Sequence, residues 1–290
     1  MASYEVVQVD VFTDRIFGGN PLAVFPDARG ISDLQMQALA REMNLSETTF
    51  VFPPTGDEDA CVRIFTPAVE LPFAGHPTIG TAHVLASRSN PAKERVALRL
   101  AVGVIELRRE RDGTFFMSVP PVEFAEVRAE RSAIARALRL DASDLHPGAP
   151  IEIASAGFPF LIVPLGDAAA VDSAELNVPA LVAACGDQAI SVFVFAATGP
   201  NRFYARMFGP HTVGIAEDPA TGGANAALTG YLAKYHHISG GDPIEALCEQ
   251  GTKMGRPSWI SLRAHGDGRI EIGGKTVDVM TATLQLNQKE

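Results

Sequence analysis

The chain has 290 residues, 47% of them hydrophobic and 20% charged, which is ample for one large core or two ordinary domains and excludes a disordered chain. A formal net charge of −10, with acids scattered and no basic run, excludes a general electrostatic grip on nucleic-acid phosphates. Three distant cysteines, Cys61, Cys185 and Cys248, form neither a metal-spaced pair nor a disulfide framework, which fits a reducing compartment.

The N-terminal "MASYEVVQVDVF" carries acids and no unbroken apolar run, so it reads as a strand and not as a signal peptide; a cytoplasmic protein is expected. A Gly-Pro turn and the strand "GNPLAV" follow, then a helix over "SDLQMQALAREMN" with Ser32 as N-cap. "TTFVFP" and "CVRIFTP" read as β-rich strands. "ELPFAGHPTIGTA" runs through turn-formers into a helix whose apolar residues, Ile79, Ala82, Val84 and Leu85, have helical spacing. Strand-and-turn segments close this half, with a hairpin at Asp112-Gly113. The most apolar stretch, "ASAGFPFLIVPLGDAAAV", is cut by Pro159, Pro164 and Asp167 and cannot span a bilayer. Further on, "EDPATGGANAALTGYL" reads as a loop into a helix from Asn225 to about Tyr235. "WISLRAHGDGRIEIGGKTVDVMTATL", with a turn at Asp267-Gly268, ends the chain in strands.

The chain repeats itself once. "RIFTP" at Arg63 returns as "RMFGP" at Arg206, a shift of 143 that also maps Phe50-Val51-Phe52 onto Phe193-Val194-Phe195. The shift then lengthens to 147 and maps Glu70 onto Glu217, Pro72 onto Pro219, Gly75 onto Gly222 and Leu85 onto Leu232. Strands outnumber helices, so the expected class is α+β: two related domains, residues 1–125 and 126–276, with a final strand near 277–290 that crosses back to the first.

In both copies small residues lead into a helix N-terminus, whose N–H groups and partial positive charge suit a carboxylate or a developing enolate. The plain alternative is a capped helix with a tight turn before it. The loops also carry His76, Glu217, Asp218 and Thr221. Asp218 precedes Pro219 and is therefore held extended, either to cap the helix or to relay a proton. His76, with an ordinary pKa near 6.5, is a structural histidine or one that holds or passes a proton near neutral pH. Glu47, in "NLSETTFVF", stands before an apolar strand where a carboxyl group serves as acid and base in turn, or simply caps the strand start. Its counterpart at the shift of 143 is Ile190, so the repeat itself does not require an acid there. "GRIEIGGKT" is out of register for a phosphate loop, no H-E-x-x-H points to zinc, and no G-x-S-x-G points to a hydrolase.

"DVFTDRIFGGNPLAVF", "NLSETTFV", "RIFTPAVELPFAGHPTIGTA" and "EDPATGGANAAL" together resemble the PhzF-like family, within the diaminopimelate-epimerase fold superfamily. The resemblance implies two pseudo-symmetric halves, each a β-barrel-like sheet around a central helix, with the active site between them. Racemases of that superfamily use one cysteine per half; the corresponding positions here are Ala74 and Thr221, which argues against a two-thiol mechanism. What the resemblance implies instead is a cofactor-free, metal-free isomerase of a small carboxylate-bearing substrate, unsaturated or cyclic. Glu47 is then the general acid/base, His76 and Asp218 assist, and Asn20, Gly75, Thr221, Gly222 and Gly223 contribute to binding. The phenazine isomerase carries a serine where this chain has Gly223, which weakens one carboxylate contact or signals another substrate. The resemblance further implies a homodimer. A non-catalytic small-molecule-binding or regulatory protein that kept the fold is the alternative.

Overall fold

The protein is described by a computed structural model covering residues 2–209 and 216–286. Pro210, the last residue of the second repeat copy, and residues 287–290 of the expected final strand lie outside the described residues.

The chain divides into two compact units, residues 1–118 with 273–290, and residues 119–272. Unit 1 begins with β1 (Ala2–Val11), β2 (Asn20–Phe25), α1 (Asp33–Met43), β3 (Glu47–Phe52), β4 (Ala60–Phe65) and β5 (Glu70–Leu71). It continues through α2 (Gly75–Ser87), β6 (Arg95–Leu100), β7 (Gly103–Arg109) and β8 (Phe115–Ser118). Unit 2 runs through β9 (Glu123–Glu126), α3 (Arg131–Ala137), β10 (Glu152–Ser155), β11 (Pro159–Pro164), α4 (Ala168–Ser173) and α5 (Val178–Cys185). It continues with β12 (Val192–Gly199), β13 (Arg202–Phe208), β14 (Glu217–Asp218), α6 (Gly222–Lys234), β15 (Ile244–Gln250) and β16 (Ser258–Ala264). β17 (Ile270–Gly274) carries the chain back, and β18 (Thr276–Leu286) pairs with β1 in unit 1.

The two units share one order of pairings. In unit 1, β2 runs parallel to β3, β3 antiparallel to β4, β4 antiparallel to β5 and parallel to β6, and β6 antiparallel to β7. In unit 2 the same sequence joins β11, β12, β13, β14, β15 and β16. Phe65 faces Glu70 as Phe208 faces Glu217, in keeping with shifts of 143 and 147. The repeat also reproduces an ion pair. Arg63 grips Glu70 through two N–H donors at 2.7 Å each, and Arg206 grips Glu217 at 2.8 and 3.0 Å. Each guanidinium lies over the phenylalanine two residues on, Phe65 or Phe208.

The expected boundary at 125/126 falls inside β9. The chain changes unit earlier, after Ser118, because β9 pairs antiparallel with β10, Glu126 facing Glu152. Helix α1 follows the sequence signals closely. The Ser32 hydroxyl accepts from Gln35 N–H, the Gln35 side chain accepts from Ser32 N–H, and Asn44 ends the helix in the left-handed conformation. Its Met36, Leu39 and Ala40 pack with Phe25, Phe50 and Phe65. In unit 2 the chain between β11 and β12 instead forms α4 and α5, which join α3 in a separate apolar cluster.

Helices α2 and α6 have 13 residues each and are buried through most of their length, the expected central helices. α2 packs against β1, β2, β3, β6, β8 and β18. Small residues make this possible: a Cβ at Gly80 would stand 2.7 Å from Leu22 Cδ2 and 2.8 Å from Val11 Cγ2. α6 begins at Gly222, three residues before the expected Asn225. Gly222 and Gly223 are poor helix formers by propensity, yet the N-terminal turn they form is held by tertiary contacts described below.

Candidate active site

Glu47 opens β3 directly after the turn that leaves α1, and only 7% of it is exposed. Ile190, its counterpart at the shift of 143, stands just before β12. His76 lies in the first turn of α2, between Gly75 and Pro77, and is 3% exposed. Its Nε2 stands 3.2 Å from Glu47 Oε2, in contact but not aligned as a hydrogen bond. Burial drives the imidazole pKa down, to about 3, so the ring is neutral in the physiological range. A buried carboxyl group therefore sits against a neutral imidazole. One turn further along, Thr49 Oγ1 and Thr81 Oγ1 share a buried hydrogen bond of 2.9 Å. Two strand residues advance about as far as five helical ones, roughly 7 Å, so one face of β3 follows α2 and fixes the Glu47–His76 contact.

The second loop belongs to unit 2. Asp218 ends β14, opposite Met207 of β13, and is 5% exposed. Its Oδ2 accepts a 2.6 Å hydrogen bond from the Thr221 hydroxyl. Thr221 is the N-cap residue of α6, but that hydroxyl is turned to Asp218 and does not cap the helix. Ala74, the N-cap residue of α2, has no polar side chain to offer. Both helices thus begin without a side-chain cap, leaving first-turn N–H groups to be met by something else. Gly75 is the first residue of α2 and Gly222 and Gly223 the first two of α6; Gly75 and Gly222 are buried. Asn20 is fully buried at the start of β2, facing Val11 of β1.

One functional cluster escaped the sequence reading. Gln250, fully buried at the end of β15, donates from Nε2 to the Asp218 carbonyl at 2.8 Å and to Thr221 Oγ1 at 3.0 Å. Its Oε1 accepts from Thr221 N–H at 3.1 Å and from Asn225 Nδ2 at 2.9 Å. Ser258 Oγ donates to the Pro219 carbonyl. A signal existed: in "IEALCEQ" the buried face alternates Ala246, Cys248, Gln250, so a polar side chain ends an apolar row.

Ala74 and Thr221 are the N-cap residues of the two central helices, and neither is a cysteine. The three real cysteines lie elsewhere, in β4, α5 and β15, and burial raises the thiol pKa of Cys185 and Cys248. Among the described residues no group of His, Cys, Asp and Glu is disposed to hold a metal, and no helix is long and apolar enough to cross a membrane.

The profile of the phenazine biosynthesis-like protein family, PhzC-PhzF, matches residues 9–282. The chain belongs to this family. A family relative, the trans-2,3-dihydro-3-hydroxyanthranilate isomerase of Pseudomonas chlororaphis, is 38% identical over 290 residues, covering 98% of this chain and all of the relative. Among solved structures, a phenazine biosynthesis protein of the PhzF family from Bacillus anthracis superposes with a TM-score of 0.90 at 23% identity, covering 99% of this chain and all of that one. A hydroxyproline epimerase from Agrobacterium vitis, at 13% identity, has a TM-score of 0.64 over all of this chain and 93% of its own. The fold seen here is thus shared with that epimerase.

Proposed function

We propose that the protein is an isomerase that moves a proton on a small, cyclic or unsaturated carboxylate, with Glu47 as general acid/base and no cofactor. The observation that carries this reading is the buried Glu47 carboxyl group 3.2 Å from the neutral His76 ring. A carbon acid needs a base in a dry site, and a neutral imidazole beside the carboxyl group can accept or donate a hydrogen bond to it without taking its proton. The anion left on the substrate needs fixed donors, and the uncapped first turn of α2, which carries His76, offers them through N–H groups beginning at Gly75. In this reading Asp218 relays the returning proton, and Asn20 and Thr221 contribute polar contacts to the substrate. The Pseudomonas chlororaphis relative, named for isomerising trans-2,3-dihydro-3-hydroxyanthranilate, supports a substrate of that class. We further propose a cytoplasmic homodimer that binds neither nucleic acid nor membrane; the three free cysteines support a reducing compartment, and the net charge of −10 argues against binding nucleic acid.

The test follows trans-2,3-dihydro-3-hydroxyanthranilate by NMR in deuterated water. The intact protein is expected to isomerise it with deuterium incorporation at carbon, and Glu47→Gln to lower that rate by about 10²–10⁴-fold without unfolding. Undiminished turnover by Glu47→Gln overturns the role of Glu47. No turnover by the intact protein, with the compound still bound, overturns the substrate and favours a binding protein on the same fold.

A further inference from the structure

We propose that Gln250 is a positioning residue for Asp218: it sets the direction of the Thr221 hydroxyl, so that this hydroxyl always donates to the Asp218 carboxylate. The inference deepens the proposed function, because it rests on Asp218 being a proton-handling group.

The orientation of the Gln250 amide follows from the backbone. The Asp218 carbonyl can only accept, so the group 2.8 Å from it is the NH2; the Thr221 N–H can only donate, so the group 3.1 Å from it is the carbonyl oxygen. Asn225 is oriented in the same way, since its Nδ2 donates to the Thr221 carbonyl at 3.0 Å and therefore also to Gln250 Oε1. With both NH2 hydrogens and both oxygen lone pairs used, the Gln250 amide cannot turn over without losing its bonds to the Asp218 carbonyl and the Thr221 N–H.

The consequence falls on Thr221. Its oxygen accepts from Gln250 Nε2 at 3.0 Å, so its single proton is directed to Asp218 Oδ2 at 2.6 Å. The hydroxyl thus favours the ionised form of Asp218. Within the same unit, Arg206 of β13 binds Glu217 of β14, and Glu249 of β15 binds Thr252. The repeat shows that the sheet does not need this amide. Tyr204 pairs with Glu249 as Cys61 pairs with Arg99, so the counterpart of Gln250 is Leu100, an apolar residue that serves the same strand position in unit 1.

The first arm of the test needs no substrate: the Asp218 carboxyl group is titrated by carbon-13 NMR in the full-length protein and in variants. Thr221→Val and Gln250→Met are each expected to move its midpoint upward by about one pH unit, and Thr221→Ser to restore it. Gln250→Glu, which keeps the acceptor for Thr221 N–H, stands in if Gln250→Met does not fold. The second arm is a double-mutant cycle in kcat: each single change lowers kcat by about tenfold, and the pair loses no more than the larger single loss. An Asp218 midpoint unmoved in the variants, or kcat losses that multiply, overturns the inference. If the intact protein turns over no substrate, the function reading fails separately and the titration alone decides the role of Gln250.

Discussion

The neutral state of His76 has a measurable cost in acid. In the unfolded chain the ring titrates near 6.5, whereas in the folded protein burial holds it at about 3. Below pH 6.5 the unfolded state therefore binds a proton that the folded state cannot, and stability falls as pH falls, by up to about 1.4 kcal/mol per pH unit, until the ring protonates in the fold. Between pH 7 and pH 4 this single group removes about 3 kcal/mol. Other groups titrate over the same range, so the quantity to measure is a difference: urea unfolding of the intact protein and of His76→Gln at both pH values. The variant is expected to lose about 3 kcal/mol less than the intact protein between them. Parallel losses would falsify the neutral ring. They would mean that His76 titrates in the fold near 6.5, as in the unfolded chain; a smaller loss in the intact protein than in the variant would mean an ion pair with Glu47 that holds its NMR titration midpoint above 6.5.

The repeated arginines should differ sharply. Arg206 is 8% exposed by side chain and also donates to the carbonyls of Val171, Asp172 and Ala174, so Arg206→Met is expected to cost about 3–5 kcal/mol in urea unfolding. Arg63 is 32% exposed and its partner Glu70 is 41% exposed, so Arg63→Met should cost about 1 kcal/mol; equal losses would sink the burial argument. Gly19 has φ +61° and its Cβ would stand 2.2 Å from the Val11 carbonyl, so Gly19→Ala is expected to lower unfolding free energy by at least about 2 kcal/mol. A Cβ at Gly223 meets only Phe160, at 3.6 Å, so Gly223→Ser should fold with stability within about 1 kcal/mol of the parent. If that hydroxyl contacts the substrate carboxylate, KM falls by about tenfold; an unchanged KM places the carboxylate elsewhere.

The two-part architecture was legible in the sequence because the repeat is physical. Arg63–Glu70 and Arg206–Glu217 are each one strand-to-strand ion pair, kept in the second copy although the chain between the two residues is four residues longer. Helix α1 was legible as well, since a capping box and a left-handed Asn act within a few residues. Glu47 and His76 could be named as candidates from residue type and from the asymmetry with Ile190. Their 3.2 Å contact and the low pKa could not, because both depend on β3 lying along α2 and on the burial that results. The start of α6 was misplaced because glycines at 222 and 223 argue locally against a helix. Thr221 N–H and the Asp218 carbonyl are anchored there by Gln250, 29 and 32 residues further along the chain. Local chemistry thus determined the elements, the repeat and the list of reactive side chains. Which of those side chains are dry, which are neutral and which way the Thr221 proton points was decided only when distant strands closed around them, since burial and hydrogen-bond direction are properties of neighbours that the chain brings together by folding.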